Sequence, residues 1–353
     1  MRPRLTPAVA DVRRAVRESL RTLSERSETK GPNPLVLVAL SGGPDSLALA
    51  AATAFEAPRA GLRAGAVIVD HGIQAGSDAV AEHAAVQVRE LGLDPVLVRA
   101  VSVPGRSLSG VEGRSLSGVE GSGPYPGPEA AARTARYEAI DTALDECGAD
   151  AVLLGHTLDD QAETVLLGLA RGAGATSLQG MSAASGRYLR PLLGIRRATT
   201  LAACDDQGLE PWQDPQNADP VFTRVRVRHT VLPLLEAELG PSVAEALART
   251  AEQLREDATA LDAMTEEVAE DLADHADGGI SFPVAALAAN PAALRHRLIR
   301  FAVSAEFGRS LTRAQTLEVA RLITDWHGQG PVDLPGATAE RLGGRIVFSA
   351  RAD

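Results

Sequence analysis

The chain has 353 residues, 45% hydrophobic and 23% charged, with a formal net charge of −11, enough for two domains or one large and one small. Its two cysteines, Cys147 and Cys204, lie far apart, which excludes a disulfide framework and a CxxC metal or redox pair. No run approaches a membrane span and no signal-like apolar stretch opens the chain, so a cytoplasmic protein is expected.

In chain order, Val9, Val12, Val16, Leu20 and Leu23 fall at helical spacing and predict an amphipathic helix over residues 8–25. A polar linker leads to Leu35–Leu40, an apolar run that predicts a strand. Ser41-Gly42-Gly43-Pro44-Asp45-Ser46 then makes a turn into a good helix former. Adjacent glycines let the backbone approach an anion, and the helix start offers free N–H groups and a positive dipole end. Asp45 is an odd neighbour for an anion unless a divalent cation bridges the two. The turn lacks the Gly-Lys-Ser/Thr ending of a Walker loop.

Residues 64–69 read as a second buried strand ending at Asp70-His71-Gly72, followed by a helix from about Asp78 to Leu91 and a third strand over 94–101. Gly105–Glu112 then repeats perfectly as Gly113–Glu120 inside a Gly/Ser/Pro-rich segment, 104–128. This reads as a duplication within a disordered insertion; a cover over the site is the sharper alternative. Residues 129–147 form a strong helix and 149–155 a fourth strand. His156-Thr157-Leu158-Asp159-Asp160-Gln161-Ala162-Glu163 opens the next helix. Strands alternating with helices predict an α/β fold, a parallel sheet with helices on both faces. Four polar clusters start at strand carboxyl ends, where such sheets bind ligands.

Within the last of these clusters, Asp159 and Glu163 lie one turn apart, and Asp160 shares a face with Glu163. Carboxylates so placed suit Mg²⁺ or a cationic amine; helix capping by Thr157 or Asp159 explains one or two of them without any ligand.

Composition changes near 214–220, which sets domains at 1–217 and 218–353, the second a smaller α+β domain. It holds a basic segment, a long acidic helix, a helical pair around 291–326 and a glycine-rich hairpin. Leu247, Leu254, Leu261 and Val268 recur at sevens, either buried on their own domain or forming a dimer seam, so monomer and homodimer both stay open. Arg224, Arg226 and Arg228 would share one side if extended. With Arg190, Arg196 and Arg197 they make a candidate surface for RNA phosphates on an otherwise acidic protein.

Ser41–Ser46 resembles the Ser-Gly-Gly-x-Asp-Ser loop of the PP-loop ATP pyrophosphatases. That resemblance implies the adenine-nucleotide alpha-hydrolase-like fold, ATP cleaved to AMP and pyrophosphate, and Mg²⁺. It places Ser41, Gly42, Gly43 and Ser46 on the phosphates, Asp45 on the metal, and Asp70 with His71 near the adenosine.

His156 to Thr164 resembles the His-x-x-Asp-Asp-Gln-x-Glu-Thr pattern of one branch, the tRNA(Ile)-lysidine synthetases. Glu129–Arg133 with Arg136-Tyr137, Leu189–Leu193, and Asp214–Asn217 followed by Phe222-Thr223-Arg224 resemble further motifs of that branch. The likeness covers roughly residues 33–236 and is weaker beyond; the repeat insertion departs from it, and so does Thr223-Arg224, where the commoner pattern has Arg-Asn. It implies ligation of L-lysine to the wobble cytidine of a CAU-anticodon tRNA(Ile) through an adenylated cytidine. Asp160 and Glu163 would hold the lysine ammonium groups, His156 would assist at the reacting base, and Arg133, Arg136, Arg190 and Arg224 would meet the tRNA. A tRNA thiolase or a small-molecule amidating ligase of the same superfamily is the alternative; the former would want cysteines near the loop.

Overall fold

A computed structural model describes residues 5–26, 34–70, 72, 76–101, 128–172, 174–276 and 278–351. The repeat insertion and His71 lie outside them. The chain divides into two compact units, 1–251 and 252–353.

The first unit is built on a six-stranded sheet. Its elements are α1 (Pro7–Arg26), β1 (Leu35–Leu40), α2 (Pro44–Glu56), β2 (Arg63–Asp70), α3 (Ser77–Glu90), β3 (Val96–Ala100), α4 (Pro128–Cys147), β4 (Ala151–Leu154) and α5 (Leu158–Ala170). Then follow α6 (Ala175–Leu178), β5 (Ala184–Ser185), β6 (Tyr188–Leu189) and α7 (Arg197–Gln207). Strand order is β3-β2-β1-β4-β6-β5, parallel throughout except for the short edge strand β5, which runs against β6. The expected all-parallel sheet therefore carries an antiparallel edge hairpin.

Both faces of the central strands are buried, which is why Leu35–Leu40 reads as an unbroken apolar run. One face packs Val36 and Val38 with Val12, Val16 and Leu20 of α1 and Leu47 of α2; the other packs Leu35 and Leu37 with Ile140 and Leu144 of α4. The chain leaves β1 toward β2 on one side, while β4 lies on its other side. The carboxyl ends of β1 and β4 thus flank the switch point where open α/β sheets bind ligands.

The segment after 217 does not begin a new unit. It forms α8 (Thr223–Arg226), a π-helical turn at Val227–Val231, α9 (Leu232–Leu239) and the start of α10 (Val243–Leu272). Leu232 and Ala244 share an apolar cluster with Leu158 and Ala162 of α5, so the compact division falls after Ala251 rather than near 217. Along α10 the sevenfold stripe that is buried is Ala244, Ala251, Ala258 and Thr265, whereas Leu247, Leu254, Leu261 and Val268 are only half-buried.

The second unit has an antiparallel sheet of order β7-β8-β11-β10-β9: β7 (Asp274–Ala276), β8 (Gly279–Pro283), β9 (Val332–Leu334), β10 (Ala337–Leu342) and β11 (Arg345–Ala350). Helices α11 (Val284–Ala289), α12 (Ala292–Phe307) and α13 (Arg313–Thr324) pack on it around Phe282, Phe348, Leu287, Leu298 and Val319. Among the described residues no helix is long and apolar enough to cross a membrane.

Candidate active site

The turn after β1 makes an open anion cradle. Gly42 adopts φ +79°, a left-handed conformation that a side chain resists, and Gly43 stands at the N-cap of α2 with no side chain capping it. Pro44 fills the first helical position, where its missing N–H costs nothing. The loop is braced from within: Ser46 Oγ donates to the Gly43 carbonyl at 3.0 Å and lies 3.1 Å from Ser41 Oγ. Outside it, the Trp212 N–H donates to the Gly42 carbonyl at 2.9 Å, clasping the loop from a segment the sequence did not single out.

At the end of β4, the opening of α5 carries the capping that the sequence allowed. Thr157 is the N-cap, and Asp160 completes the capping box by accepting from the Thr157 N–H at 2.8 Å. Gln161 grips the backbone of Met181, donating to its carbonyl at 2.9 Å and accepting from its N–H at 2.7 Å. A Cβ on Gly180 would come within 2.6 Å of that amide, which accounts for the glycine there. Asp159 accepts from the Arg197 N–H at 2.7 Å and so caps the start of α7.

The remaining carboxylates are engaged by guanidinium groups. Arg197 donates through Nη2 to Asp160 Oδ1 at 2.7 Å and through Nε to Asp45 Oδ2 at 3.1 Å; its Nη1 lies 3.4 Å from Glu163 Oε1. Arg228 donates through Nε to Glu163 Oε1 at 2.7 Å and through Nη2 to Glu163 Oε2 at 3.0 Å and Asp160 Oδ1 at 3.1 Å. Arg224 approaches Glu163 at 3.4 Å without hydrogen-bond geometry and donates to Thr164 Oγ1 at 2.9 Å. Thr200 donates to the second oxygen of Asp45. Three carboxylates thus face three guanidinium groups, a balanced cluster that joins the phosphate loop to α5.

The electrostatics follow from that packing. Burial pushes the Asp45 carboxyl above its ordinary value, against the pull of Arg197 and Thr200. For Asp160 burial acts upward too, but Arg197, the Thr157 N–H and Arg228 outweigh it and hold the group below the usual range. Burial opposes the charge on Arg197; Asp160, Asp45 and Glu163 more than restore it, so its pKa is raised.

His156 follows β4 directly. Burial lowers its pKa to about 4, and the positive charges of Arg190, Arg133 and Arg224 act the same way against Asp160. The imidazole is neutral at pH 7, and its Nδ1 is buried without a hydrogen-bond partner among the described residues. Arg190 donates to the Ser182 carbonyl at 3.0 Å, while Arg133 and Arg136 are exposed on α4, Arg133 lying over the Tyr137 ring. Asp70, at the end of β2, accepts from the Gly72 N–H at 2.9 Å.

Two sequence expectations need correction. Arg224, Arg226 and Arg228 are not extended: α8 and the π turn aim Arg224 and Arg228 at Glu163 and leave Arg226 outside. Arg196 and Arg197 do not form an open phosphate-binding surface, because Arg197 lies in the carboxylate cluster and Arg196 pairs with Glu236 at 2.9 Å beside Asp159 and Glu245. Thr200 and Trp212 are residues of this cluster and loop that motif reading missed, and Arg197 was read only as part of the RNA surface. The only trace of Thr200 was its place three residues after Arg197 at a helix start.

No group of three or more His, Cys, Asp or Glu that could hold a metal occurs among the described residues. Mg²⁺ is commonly held by one or two carboxylates together with substrate phosphates, and Asp45, 19% exposed beside the phosphate loop, fits as a single such ligand.

An α/β unit with an uncapped Ser-Gly-Gly-x-Asp-Ser cradle at its switch point defines a nucleotide-binding PP-loop protein, and the profile of the PP-loop domain matches residues 14–235. A second profile, the TilS substrate binding domain, matches residues 282–347. The chain is 59% identical to a tRNA(Ile)-lysidine synthase of Leifsonia xyli subsp. xyli, with 92% of each chain covered. It is 50% identical to that of Streptomyces coelicolor, over 97% of this chain and 98% of the relative. The chain belongs to the tRNA(Ile)-lysidine synthase family. Among solved structures, the U34-tRNA thiolase NcsA from Methanococcus maripaludis superposes with a TM-score of 0.53 at 20% identity, over 70% of this chain and 80% of that one, a likeness of fold.

Proposed function

We propose that this protein ligates free L-lysine to C2 of the wobble cytidine of tRNA(Ile) with a CAU anticodon, consuming ATP and releasing AMP and pyrophosphate. The observation that carries the reading is the balanced carboxylate–guanidinium cluster joining the phosphate loop to the start of α5.

Cytosine's 2-oxygen is a poor leaving group. Ser41, Gly42, Gly43 and Ser46 hold the ATP phosphates, and the cytidine oxygen attacks the α-phosphorus to expel pyrophosphate. Asp45 is the residue that would hold Mg²⁺, whose chemistry is to neutralise charge on the phosphates. Asp70 and His71 are the residues proposed to meet the adenosine. The lysine ε-amine, deprotonated, then attacks C2 and AMP departs with the former base oxygen. His156, uncharged at neutral pH, would assist at the reacting base.

Lysine is itself zwitterionic. Its ammonium groups would share Asp160 and Glu163, and its α-carboxylate would take a guanidinium released by that exchange; lysine brings one net positive charge to the neutral cluster, which is relieved when the ε-amine gives up its proton. Arg133, Arg136, Arg190 and Arg224 are the residues proposed to meet the tRNA. The second unit would hold it further along, and a cytoplasmic location follows from the substrate. A thiolase reading is disfavoured by the thiols: burial raises both, Cys204 to about 12, and Cys204 Sγ is tied to the Pro44 carbonyl at 3.3 Å.

The test is to incubate the protein with ATP, Mg²⁺, labelled lysine and an unmodified CAU-anticodon tRNA transcript and digest to nucleosides. A lysine-labelled nucleoside is expected; its absence, with a competent control enzyme in parallel, sinks the reading. Asp45→Asn should abolish labelling.

A further inference from the structure

Helix α8 has two faces, and only the inner one is used by the cluster above. Arg224 and Arg228 point to Glu163, and Val225 and Val227 are each 8% exposed. The other face begins at Phe222, the N-cap of α8, whose carbonyl accepts from the Arg226 N–H at 3.2 Å, so Phe222 and Arg226 stand one turn apart. Both are exposed, Phe222 at 40%, and the preceding Val221 is 76% exposed.

The Arg226 guanidinium folds back over the helix start, donating through Nη1 to the Pro220 and Val221 carbonyls at 2.7 and 2.8 Å and through Nη2 to Thr223 Oγ1 at 3.0 Å. Those bonds fix the tip that carries Phe222. They leave the charge without a carboxylate partner among the described residues. Aromatic residues make up 3% of this chain, so an exposed phenyl ring one helical turn from an exposed arginine is an unusual expenditure of apolar surface.

We propose that Phe222 and Arg226 form a stacking platform for an unpaired nucleobase of the substrate RNA, adjacent to the base that reacts. This rests on the RNA-modifying reading above and adds to it the element that holds a loop nucleotide out of its stack. Bases of single-stranded loops are recognised by an aromatic face for the π surface and by positive charge for the flanking phosphate. The exposed face of α8 supplies both, on the short helix that carries Arg224 and runs straight into the π turn carrying Arg228.

The experiment uses the full-length protein and a CAU anticodon stem–loop RNA. Dissociation constants are read by fluorescence anisotropy, and KM and kcat with the intact tRNA. Phe222→Ala should raise the RNA dissociation constant and the KM for tRNA roughly 10-fold, in line with the cost of losing one base–aromatic stack. kcat at saturating tRNA and the KM for ATP should stay unchanged. Phe222→Trp should restore binding and Phe222→Leu should not, which separates stacking from mere apolar bulk. Unchanged RNA affinity in Phe222→Ala overturns the platform, as does full rescue by leucine; unchanged affinity is also the result expected if this face served a protein partner. Wild-type protein that neither binds nor modifies the RNA overturns the underlying reading together with the platform. Wild-type activity with an indifferent alanine variant overturns the platform alone.

Discussion

Arg228 grips Glu163 with two parallel hydrogen bonds, Nε to Oε1 at 2.7 Å and Nη2 to Oε2 at 3.0 Å, and the glutamate they hold is fully buried. A buried carboxylate persists only when paired, and Glu163 of α5 is paired with three arginines from α7, α8 and the π turn. Replacing it leaves those charges facing one another. Glu163→Ala should destabilise the first unit by roughly 3 kcal/mol, the low end for a broken buried pair because Arg197 and Arg228 keep some solvent contact. Urea unfolding followed by circular dichroism checks this; a loss below about 1 kcal/mol would mean the pairs are solvent-screened.

The start of α5 depends on a reciprocal cap between Thr157 and Asp160. Thr157→Val keeps the shape and removes the hydroxyl, and should cost about 1 kcal/mol of stability. The same change removes a hydrogen bond to the Asp160 side chain, made at 2.9 Å, which should loosen the Arg197 contact. The expected kinetic result is a raised KM for lysine with little change in the KM for ATP. Equal effects on both would place the role of Thr157 in the scaffold alone.

His156 titrates far from neutrality. Its folded pKa of about 4 lies below the ordinary 6.5, so the unfolded chain binds the proton more readily. The stability this group contributes is therefore fully present above pH 6.5 and is lost as pH falls from 6.5 through 4. His156→Gln should flatten the pH dependence of unfolding free energy in that window. NMR titration of the His156 ring should show no inflection near 6.5, and an inflection there would contradict the burial argument.

Gly42 sits at φ +79° in the phosphate loop. Gly42→Ala places a methyl 3.5 Å from Ala84 and 3.8 Å from Trp212, which is ordinary contact, so the cost is conformational and about 1 kcal/mol. ATP affinity measured by calorimetry should fall severalfold while tRNA affinity stays unchanged. An alanine variant that binds ATP as the wild type does would show that the left-handed turn is not needed for the cradle.

The cradle and the α5 opening were legible in the sequence because each is local: a glycine turn after an apolar strand, and an S/T-x-x-acid helix start. Legibility ended where function depends on elements far apart in the chain. The partners Asp45 and Arg197, 152 residues apart, are brought together only because α7 packs against α2, with Ala203 and Cys204 in one core with Leu47 and Ala48. The Arg-Val-Arg-Val-Arg alternation fits a strand and a helix edge equally well. The π turn at Val227–Val231, which helps aim Arg228 at Glu163, leaves no signature in such a pattern. The shift of the unit boundary from 217 to 251 has the same origin, since Leu232 and Ala244 read as generic apolar residues until α5 lies against them.

The central claim is that the loop at Ser41–Ser46 delivers AMP to an RNA base before lysine is used. The most direct measurement omits lysine: the protein is mixed with α-³²P-labelled ATP, Mg²⁺ and CAU-anticodon tRNA, and the RNA is isolated under denaturing conditions. The account predicts labelled AMP on the RNA, chased off by added lysine as lysidine forms, and no label with Asp45→Asn. Lysine-dependent product without RNA labelling, or label accumulating on the protein or on lysine instead, would contradict it.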